Sequence, residues 1–124
     1  MPAGVEVVSG DVLDEGSLAR GVLGCDTVVH AAALVKMWVP DRSEFDRINV
    51  GGLRSMLRAA EHAGVGRVLY VSSFIALGPT DGATGNEDWS PAGRVLHNDY
   101  ERTKTAADAL AREAQSAGAP LVIV

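Results

Sequence analysis

Short apolar runs with little polar alternation recur along the 124-residue chain, and stretches of helical periodicity separate them. The runs lie at residues 5–8, 27–32, 67–73 and 120–124. Strands of this kind are buried on both faces, and strands that are joined through helices run parallel. The order β-α-β-α-β-loop-α-β therefore predicts an α/β fold built on a doubly wound parallel sheet with helices on both faces.

Three stretches carry apolar residues at spacings of three and four, the periodicity of amphipathic helices. These predicted helices span residues 14–23, 43–62 and 99–117. Asp14 is a suitable N-cap for the first, and Ser43 with Asp46 resembles a capping box at the start of the second. Residues 78–98 contain four glycines and two prolines and predict a long loop, which in a compact domain usually serves a function.

The composition excludes several classes of protein. Apolar residues make up 47% of the chain, which excludes a disordered chain, and no apolar run approaches the roughly 20 residues that cross a bilayer. The net charge of −5, with two lysines, leaves no basic stripe for nucleic acid. The first residues lack the basic and apolar regions of a secretory signal, and the single cysteine, Cys25, fits a reducing cytosol. A cytoplasmic protein is therefore expected.

The strongest chemical signal is Tyr100 followed by Lys104 at the start of the third predicted helix. Residues four apart lie on one face of a helix. A phenol has an unperturbed pKa of about 10, and a neighbouring ammonium lowers that pKa because it favours the phenolate. The pair can then move a proton to or from a substrate hydroxyl near neutral pH. The same spacing also occurs by chance at a solvated helix start.

A second signal is the pair Ser72 and Ser73 at the end of the third predicted strand. In parallel sheets ligands bind at the carboxyl ends of the strands, where a hydroxyl can bond a substrate oxygen. For the pair alone, a polar strand end that leads into a turn is the simpler interpretation. The order of strand, serines, loop and helix nevertheless predicts a hydroxyl close to Tyr100 and Lys104 at one edge of the sheet.

Four short segments share their order with a known family. They are Val-His-Ala-Ala at residues 29–32, Ile-Asn-Val-x-Gly at 48–52, Val-Ser-Ser-x-x-x-x-Gly at 71–78 and Tyr-x-x-x-Lys at 100–104. In this order they resemble the extended short-chain dehydrogenases/reductases, the NAD-dependent epimerase/dehydratase family. Residues 34–40 and 73–78 are similar to its dihydroflavonol-reductase-like branch. The resemblance covers nearly the whole chain and implies a Rossmann-type domain with NAD or NADP as its cofactor.

The resemblance implies a role for each matching residue. Ser73 matches the catalytic serine that orients the substrate oxygen, and Tyr100 matches the general acid/base. Lys104 matches the lysine that holds the nicotinamide ribose and tunes Tyr100. The further cofactor contacts that it implies are Asp11 and Val12 near adenine, Ala31, Ala32 and Ala33 after a strand, and Asn49. Asn49 also lies on the apolar stripe of its helix, where a buried amide needs a hydrogen-bond partner.

The chain departs from the family pattern because it contains no Gly-x-Gly-x-x-Gly fingerprint. In the family this loop follows the first strand and holds the pyrophosphate at a helix N-terminus. The chain is therefore interpreted as an internal part of a longer enzyme, one that supplies strands 3, 4, 5 and 6 of the order 3-2-1-4-5-6 without the substrate-binding region. Unpaired strand edges follow from this, so the isolated chain is expected to be unstable or to associate, and to bind the cofactor poorly.

Three functional hypotheses remain open. The first is an NAD(P)-dependent oxidoreductase that transfers a hydride between nicotinamide and a carbinol or carbonyl carbon. The motifs do not distinguish this enzyme from a nucleotide-sugar epimerase or dehydratase, although loop residues such as Met37, Trp38 and Phe74 favour a hydrophobic substrate. The second is a non-catalytic dinucleotide sensor, against which the presence of Tyr100 and Lys104 argues. The third is a flavodoxin-like interaction domain.

The resemblance further implies a homodimer that packs through the predicted helices 43–62 and 99–117. The expected partner is otherwise a small alcohol, carbonyl or sugar substrate. His30 is interpreted as a satisfied core histidine rather than a catalyst, and the three histidines lie too far apart in sequence to indicate a metal site.

Overall fold

The structure is a computed structural model that describes residues 4–90, residue 93 and residues 95–124. In chain order its elements are α1 (Glu15–Val22), β1 (Thr27–His30), α2 (Ser43–Phe45), a π-helical segment (Asp46–Gly51), α3 (Gly52–His62), β2 (Arg67–Tyr70), a 3-10 helix (Phe74–Leu77), α4 (Asp99–Ser116) and β3 (Leu121–Ile123). No helix in the described ranges is both long enough and apolar enough to span a membrane.

The three strands form a parallel sheet in the order β1-β2-β3. Val28 of β1 pairs with Val68 of β2, which in turn pairs with Leu121 of β3. These side chains are buried, and together with apolar residues of α1, α3 and α4 they form the core. The α/β class and the parallel sheet that the sequence predicts are confirmed.

The opposite face of the sheet carries the alternate residues of the strands. Val29 of β1 is 60% exposed, and Val122, two strands away in the same row, is 43% exposed. Within the described residues the helices therefore cover one face of the sheet. The second covered face that the sequence predicts is not formed by this part of the chain.

Residues 5–8 do not form the strand that their sequence predicts. Val5, Val7 and Val8 are exposed, and no described strand pairs with them. A β-strand is stable only when its backbone N–H and C=O groups bond a neighbouring strand. The prediction is wrong for this chain because these apolar residues have no strand beside them.

The helix ends show which local signals the chain uses. Asp14 caps α1 as predicted, because its carboxylate accepts a hydrogen bond from the Gly16 backbone at 3.0 Å. The predicted capping box at Ser43 is wrong: Asp41 accepts hydrogen bonds from the backbone N–H and the hydroxyl of Ser43, at 3.0 and 2.7 Å. Gly118, with a φ of 97°, follows the end of α4 in the left-handed conformation that glycine favours.

Candidate active site

The ammonium of Lys104, a residue of α4, lies at the carboxyl end of β2. Its side chain extends from the second turn of α4, and its Nζ donates hydrogen bonds to the Tyr70 hydroxyl and to the Val71 carbonyl, both at 3.1 Å. Only 3% of the residue is exposed. Burial lowers the pKa of the Lys104 ammonium, and the carboxylate of Asp108 partly offsets that effect. The cation is therefore fixed at the strand end rather than free in solvent.

Tyr100 lies one turn before Lys104 on the same face of α4. It is half-buried, and its hydroxyl has no hydrogen-bond partner among the described residues. The first turn of α4 is fixed by Asn98, whose side chain accepts a hydrogen bond from the Glu101 backbone at 2.8 Å. The Glu101 carboxylate in turn accepts one from the His97 backbone at 2.7 Å. These two bonds fix the helix start from which the phenol extends.

Ser73 follows β2 at the start of the 3-10 helix. Its Oγ accepts a hydrogen bond from the Ile75 backbone at 3.3 Å and so caps that helix. Accepting this bond leaves the hydroxyl proton of Ser73 free to be donated to a ligand oxygen. The Ser72 hydroxyl, in contrast, donates to the Asp108 carboxylate at 2.6 Å. Of the two serines, Ser73 is thus the one that retains its donor.

Two of the three predicted catalytic residues lie together, and Ser73 lies apart from them. Lys104 contacts Val71, two residues before Ser73, so both residues lie at the carboxyl end of β2. Ser73 lines an open cleft of about 580 Å³ with Phe74 and the end of β3, and neither Tyr100 nor Lys104 lines that cleft. No hydrogen bond joins Ser73 to either of them in the described ranges. The structure thus places Tyr100 and Lys104 together, with Ser73 at the same sheet edge.

Asn49 connects three parts of the chain. From the π-helical segment, its Oδ1 accepts a hydrogen bond from the Leu34 backbone at 2.7 Å. Its Nδ2 donates to the Leu34 carbonyl at 3.3 Å and to the Thr103 hydroxyl at 2.9 Å. The side chain is 3% exposed, and these bonds satisfy the partner requirement expected from the sequence. Asn49 therefore ties the segment after β1 to the residue beside Lys104.

Ala31, Ala32 and Ala33 follow β1 at the same edge of the sheet. Ala31 and Ala32 are exposed, and Ala33 is half-buried. A side chain that ends at Cβ leaves room for a flat ligand to approach the backbone. The next residue, Leu34, is held through both its N–H and its C=O by Asn49, so the position of this segment is fixed.

Asp11 and Val12 lie in the turn before α1, beside β1. The Asp11 carboxylate accepts a hydrogen bond from the Leu13 backbone at 2.9 Å, so it stabilises its own turn. Val12 packs against the start of α3, where a Cβ on Gly52 would lie 2.9 Å from its Cγ2. Both residues line an open cleft of about 430 Å³ whose other wall includes β1. The structure does not bring them into contact with Lys104 or Tyr100.

His30 is buried at the end of β1, with 2% of its surface exposed. Its ring stacks on that of Tyr70. Burial, with a smaller contribution from the Lys104 cation, lowers the pKa of His30 to about 4. The core location agrees with the sequence interpretation, but Nε2 has no hydrogen-bond partner in the described structure, so the expectation of a satisfied histidine is wrong.

The donor set at the end of β2 fits the ribose of a nicotinamide nucleotide. An ammonium has three N–H donors, and two of those on Lys104 bond Tyr70 and Val71. The third has no acceptor among the described residues, which leaves it for a ribose hydroxyl. The exposed alanines after β1 provide a flat surface at the same edge.

Sequence reasoning missed two residues of this site, Tyr70 and Asp108. Tyr70 accepts the Lys104 hydrogen bond, and burial together with the charge of Asp108 raises the pKa of its phenol to about 12. Asp108 accepts hydrogen bonds from Ser72 and from the Arg112 guanidinium, both at 2.6 Å. The available signal is spacing: Asp108 continues the stripe of Lys104 by one turn, and Tyr70 and Ser72, two residues apart at the end of β2, lie on the same side of the extended chain.

Comparison with known proteins identifies the family of the chain. The model of the 3-beta hydroxysteroid dehydrogenase/isomerase family matches residues 2–119. Sterol demethylase protein B of Methylococcus capsulatus is 36% identical over 104 residues, which cover 84% of this chain and 32% of that protein. A putative dihydroflavonol 4-reductase of Synechocystis is 35% identical over 121 residues, which cover 97% of this chain and 35% of that protein. The chain spans about a third of the length of the curated relatives it matches.

Among solved structures, a short-chain dehydrogenase/reductase superfamily protein from Agrobacterium tumefaciens with bound NAD is similar with a TM-score of 0.83. The two are 31% identical, and the match covers 98% of this chain and 37% of that one. The predicted resemblance to short-chain dehydrogenases/reductases with a dihydroflavonol-reductase-like branch is confirmed by these relatives. With a family model that matches all but a few of its residues, the chain belongs to the 3-beta hydroxysteroid dehydrogenase/isomerase family.

Proposed function

We propose that the protein that contains this chain is an NAD(P)-dependent oxidoreductase that interconverts a carbinol and a carbonyl. The observation that carries the proposal is the pair on α4. The buried Lys104 ammonium is anchored at the end of β2, and one turn away the Tyr100 hydroxyl has no partner among the described residues. A fixed cation beside an available phenol is the arrangement that acid/base catalysis on a substrate hydroxyl requires.

Each residue has a separate task in the proposed reaction. In the oxidative direction the Tyr100 phenolate takes the substrate hydroxyl proton, and Ser73 donates a hydrogen bond to the same oxygen. A bound nicotinamide would supply the redox chemistry, as acceptor of the hydride that leaves the carbinol carbon. Lys104 bonds the ribose with the N–H that Tyr70 and Val71 leave unused. Reduction reverses these steps, and Tyr100 returns the proton.

The remaining cofactor contacts are proposals of the same kind. Asn49 holds the alanine segment in place from behind, and residues 31–33 lie against the nucleotide. Asp11 and Val12, on the far wall of the cleft beside β1, are assigned to the adenine end. The separation of these two residues from Lys104 agrees with an extended dinucleotide that crosses the carboxyl edge of the sheet.

The proposed substrate is an extended apolar alcohol or ketone. Met37 and Phe74 are each 87% exposed, and Trp38 is 70% exposed, in the segments that follow β1 and β2. Exposed apolar side chains near a ligand edge indicate a hydrophobic contact. The family description and the sterol-related name of one relative agree with this choice. A nucleotide sugar is the alternative substrate, since the same acid/base pair serves both.

The test is Tyr100→Phe in the complete protein, assayed with a panel of apolar alcohols and nucleotide sugars. We expect turnover to fall by about a hundredfold or more, because the variant has no group to exchange the proton. Cofactor affinity, measured by calorimetry, stays within about twofold. Ser116→Ala, which removes a hydroxyl from the exposed end of the same helix, is the matched control and retains full turnover. Equal turnover in Tyr100→Phe and the control would contradict the proposal.

We also propose that the protein is a homodimer that packs through helices 43–62 and 99–117. In support, an open groove of about 540 Å³ runs between α3 and α4, and Leu57, Val65 and Ala114 line it. Ala117, at the rim of this groove, offers the test. Ala117→Glu is expected to shift the complete protein from dimer to monomer in light scattering at micromolar concentration. An unchanged mass would exclude this surface as the dimer interface.

A further inference from the structure

A polar cluster with a buried centre surrounds Lys104, and the proposed reaction does not use all of it. The cluster consists of His30, Tyr70, Ser72, Lys104 and Asp108. Strand residues supply one side of it and α4 supplies the other. Its central contact joins Lys104 to Tyr70, a residue that is 2% exposed and has no part in the proton transfer assigned to Tyr100.

The Lys104 ammonium contacts both the hydroxyl and the ring of Tyr70. Lys104 Nζ donates to the Tyr70 hydroxyl at 3.1 Å, and the same atom lies 4.8 Å from the centre of the Tyr70 ring. The second acceptor, the carbonyl of Val71, belongs to the neighbouring residue of the same strand end. Two acceptors on adjacent residues fix two of the three N–H directions of an ammonium.

We propose that Tyr70 is a positioning residue that acts through Lys104: its hydroxyl and the Val71 carbonyl hold the ammonium so that the third N–H faces the catalytic edge. Without the hydroxyl, the ammonium keeps one fixed acceptor and can turn about it. The contact itself does not depend on the proposed function. Its catalytic consequence does rest on that function, because it supposes that Lys104 serves Tyr100 and the ribose.

The charged and titratable groups around Lys104 come from each packed element. His30 of β1 is neutral above a pH of about 4, and Tyr70 of β2 is neutral up to about 12. On α4, Asp108 carries a negative charge, and Tyr100 lies one turn earlier. The Tyr70 hydroxyl therefore stabilises the ammonium as a neutral acceptor. Removing it lowers the pKa of Lys104 further, because the charged form loses a hydrogen bond.

The decisive measurement follows the lysine signals of Lys104 and Lys36, each assigned by its loss in the corresponding Lys→Arg variant. In the complete protein with ¹³Cε-labelled lysine, Lys36 is exposed and gives an internal reference. We expect Lys104 to titrate below the ordinary value of a lysine, 10.5, and at still lower pH in Tyr70→Phe. Circular dichroism checks that the variant is folded. Gln115→Met, which removes the 2.9 Å bond between α4 and the Leu121 carbonyl, is the matched control and leaves Lys104 unchanged.

A second measurement needs no variant. Because Nζ lies over the Tyr70 ring, the ε-protons of Lys104 are expected to be shifted upfield from those of Lys36. Coincident ε-proton signals, or a Lys104 titration that is the same in Tyr70→Phe and wild type, would overturn the proposal. These readouts require no turnover, so they are independent of whether the protein is an oxidoreductase.

The kinetic consequence separates the two proposals. If both hold, Tyr70→Phe lowers kcat by about ten- to a hundredfold, with the alkaline limb of the pH profile shifted to lower pH, while KM changes little. If the titration of Lys104 shifts in Tyr70→Phe and the wild type shows no redox turnover, the proposed function fails and the positioning role stands. If the wild type turns over and Tyr70→Phe has the same pH profile, the positioning role fails.

Discussion

The imidazole of His30 stacks on the phenol ring of Tyr70, with 6.0 Å between the ring centres and 24° between the planes. The two residues are paired across β1 and β2 in the parallel register, so the stack follows from the sheet itself. It covers one face of the ring that Lys104 contacts. Burial, with a smaller contribution from the Lys104 cation, keeps His30 neutral above a pH of about 4, and its Nε2 has no hydrogen-bond partner among the described residues.

The first prediction concerns acid stability. The pKa of His30 is about 4 in the folded chain and 6.5 as the ordinary value, so the unfolded chain binds the extra proton between these limits. The free energy of unfolding is therefore not reduced by His30 above pH 6.5. It falls by up to about 3 kcal/mol as the pH drops toward 4. In urea titrations at pH 8 and pH 5, His30→Leu is expected to lose most of this difference. His62→Gln, at an exposed histidine, is expected to keep it.

The second prediction concerns the amide that connects the site. Asn49→Ala leaves the N–H and C=O of Leu34 and the Thr103 hydroxyl without this partner, so we expect a loss of about 2 kcal/mol or more in denaturant unfolding. Asn86→Ala, in an exposed loop, is the control and should cost less than about 0.5 kcal/mol. Equal losses in the two variants would show that the buried amide does not connect these segments.

The third prediction concerns the start of α4. Asn98→Ala removes the acceptor for the Glu101 N–H and is expected to destabilise the chain by about 1 kcal/mol. Because Tyr100 lies in this first turn, turnover of the complete protein should fall as well. Asn98→Asp retains a capping oxygen, so both stability and turnover should return toward wild type. A failure of Asp to restore either quantity would exclude capping as the cause.

The fourth prediction concerns the ion pair between the π-helical segment and α4. Arg102 donates to both carboxylate oxygens of Asp46, at 2.8 and 2.6 Å, and this hydrogen bonding holds the pKa of Asp46 below its usual 3.8. The pair therefore stabilises the fold above pH 3.8 and is lost as the pH falls through the lowered value. Both side chains are nearly half exposed, so the contribution stays below about 1 kcal/mol and decreases with salt.

Thermal melts of Asp46→Asn and wild type between pH 7 and pH 3 measure this contribution. The two proteins should differ near neutral pH and converge at acid pH. Asp26→Asn, at a carboxylate for which the described structure has no ion pair, is the control and should follow wild type. A difference between Asp46→Asn and wild type that persists unchanged at pH 3 would contradict the assignment.

The sequence predicts best those features that local residues determine. The bounds of α1 and α4 follow from Asp14 before the first and Gly118 after the second, because caps and stops act within one turn. The spacing of Tyr100 and Lys104 likewise places them on one helix face. The strand at residues 5–8 could not be decided locally, since a strand exists only when another strand pairs with it.

The interior of the site depends on contacts between distant residues. Lys104 finds its acceptors 34 and 33 residues earlier in the chain, and Asn49 finds Thr103 54 residues later. No pattern within a window of the sequence encodes these pairs. Ser72 and Ser73 show the same limit, because their different roles are set by Asp108 and by the Ile75 backbone.

The π-helical segment of residues 46–51 joins α2 to α3 and sets how far α3 is rotated relative to α2. Such a wide turn accommodates one more residue than an α-helical turn spans, and removing Val50 or Gly51 would turn α3 by about 100° around the helix axis relative to Asn49. Asn49 could then keep its bonds to Leu34 and Thr103 only if Leu53, which is fully buried, left the core. The extra residue thus allows the continuous helix to direct Asn49 toward its hydrogen-bond partners and Leu53 into the core. A deletion between them would remove either the hydrogen bonds of Asn49 or the packing of Leu53.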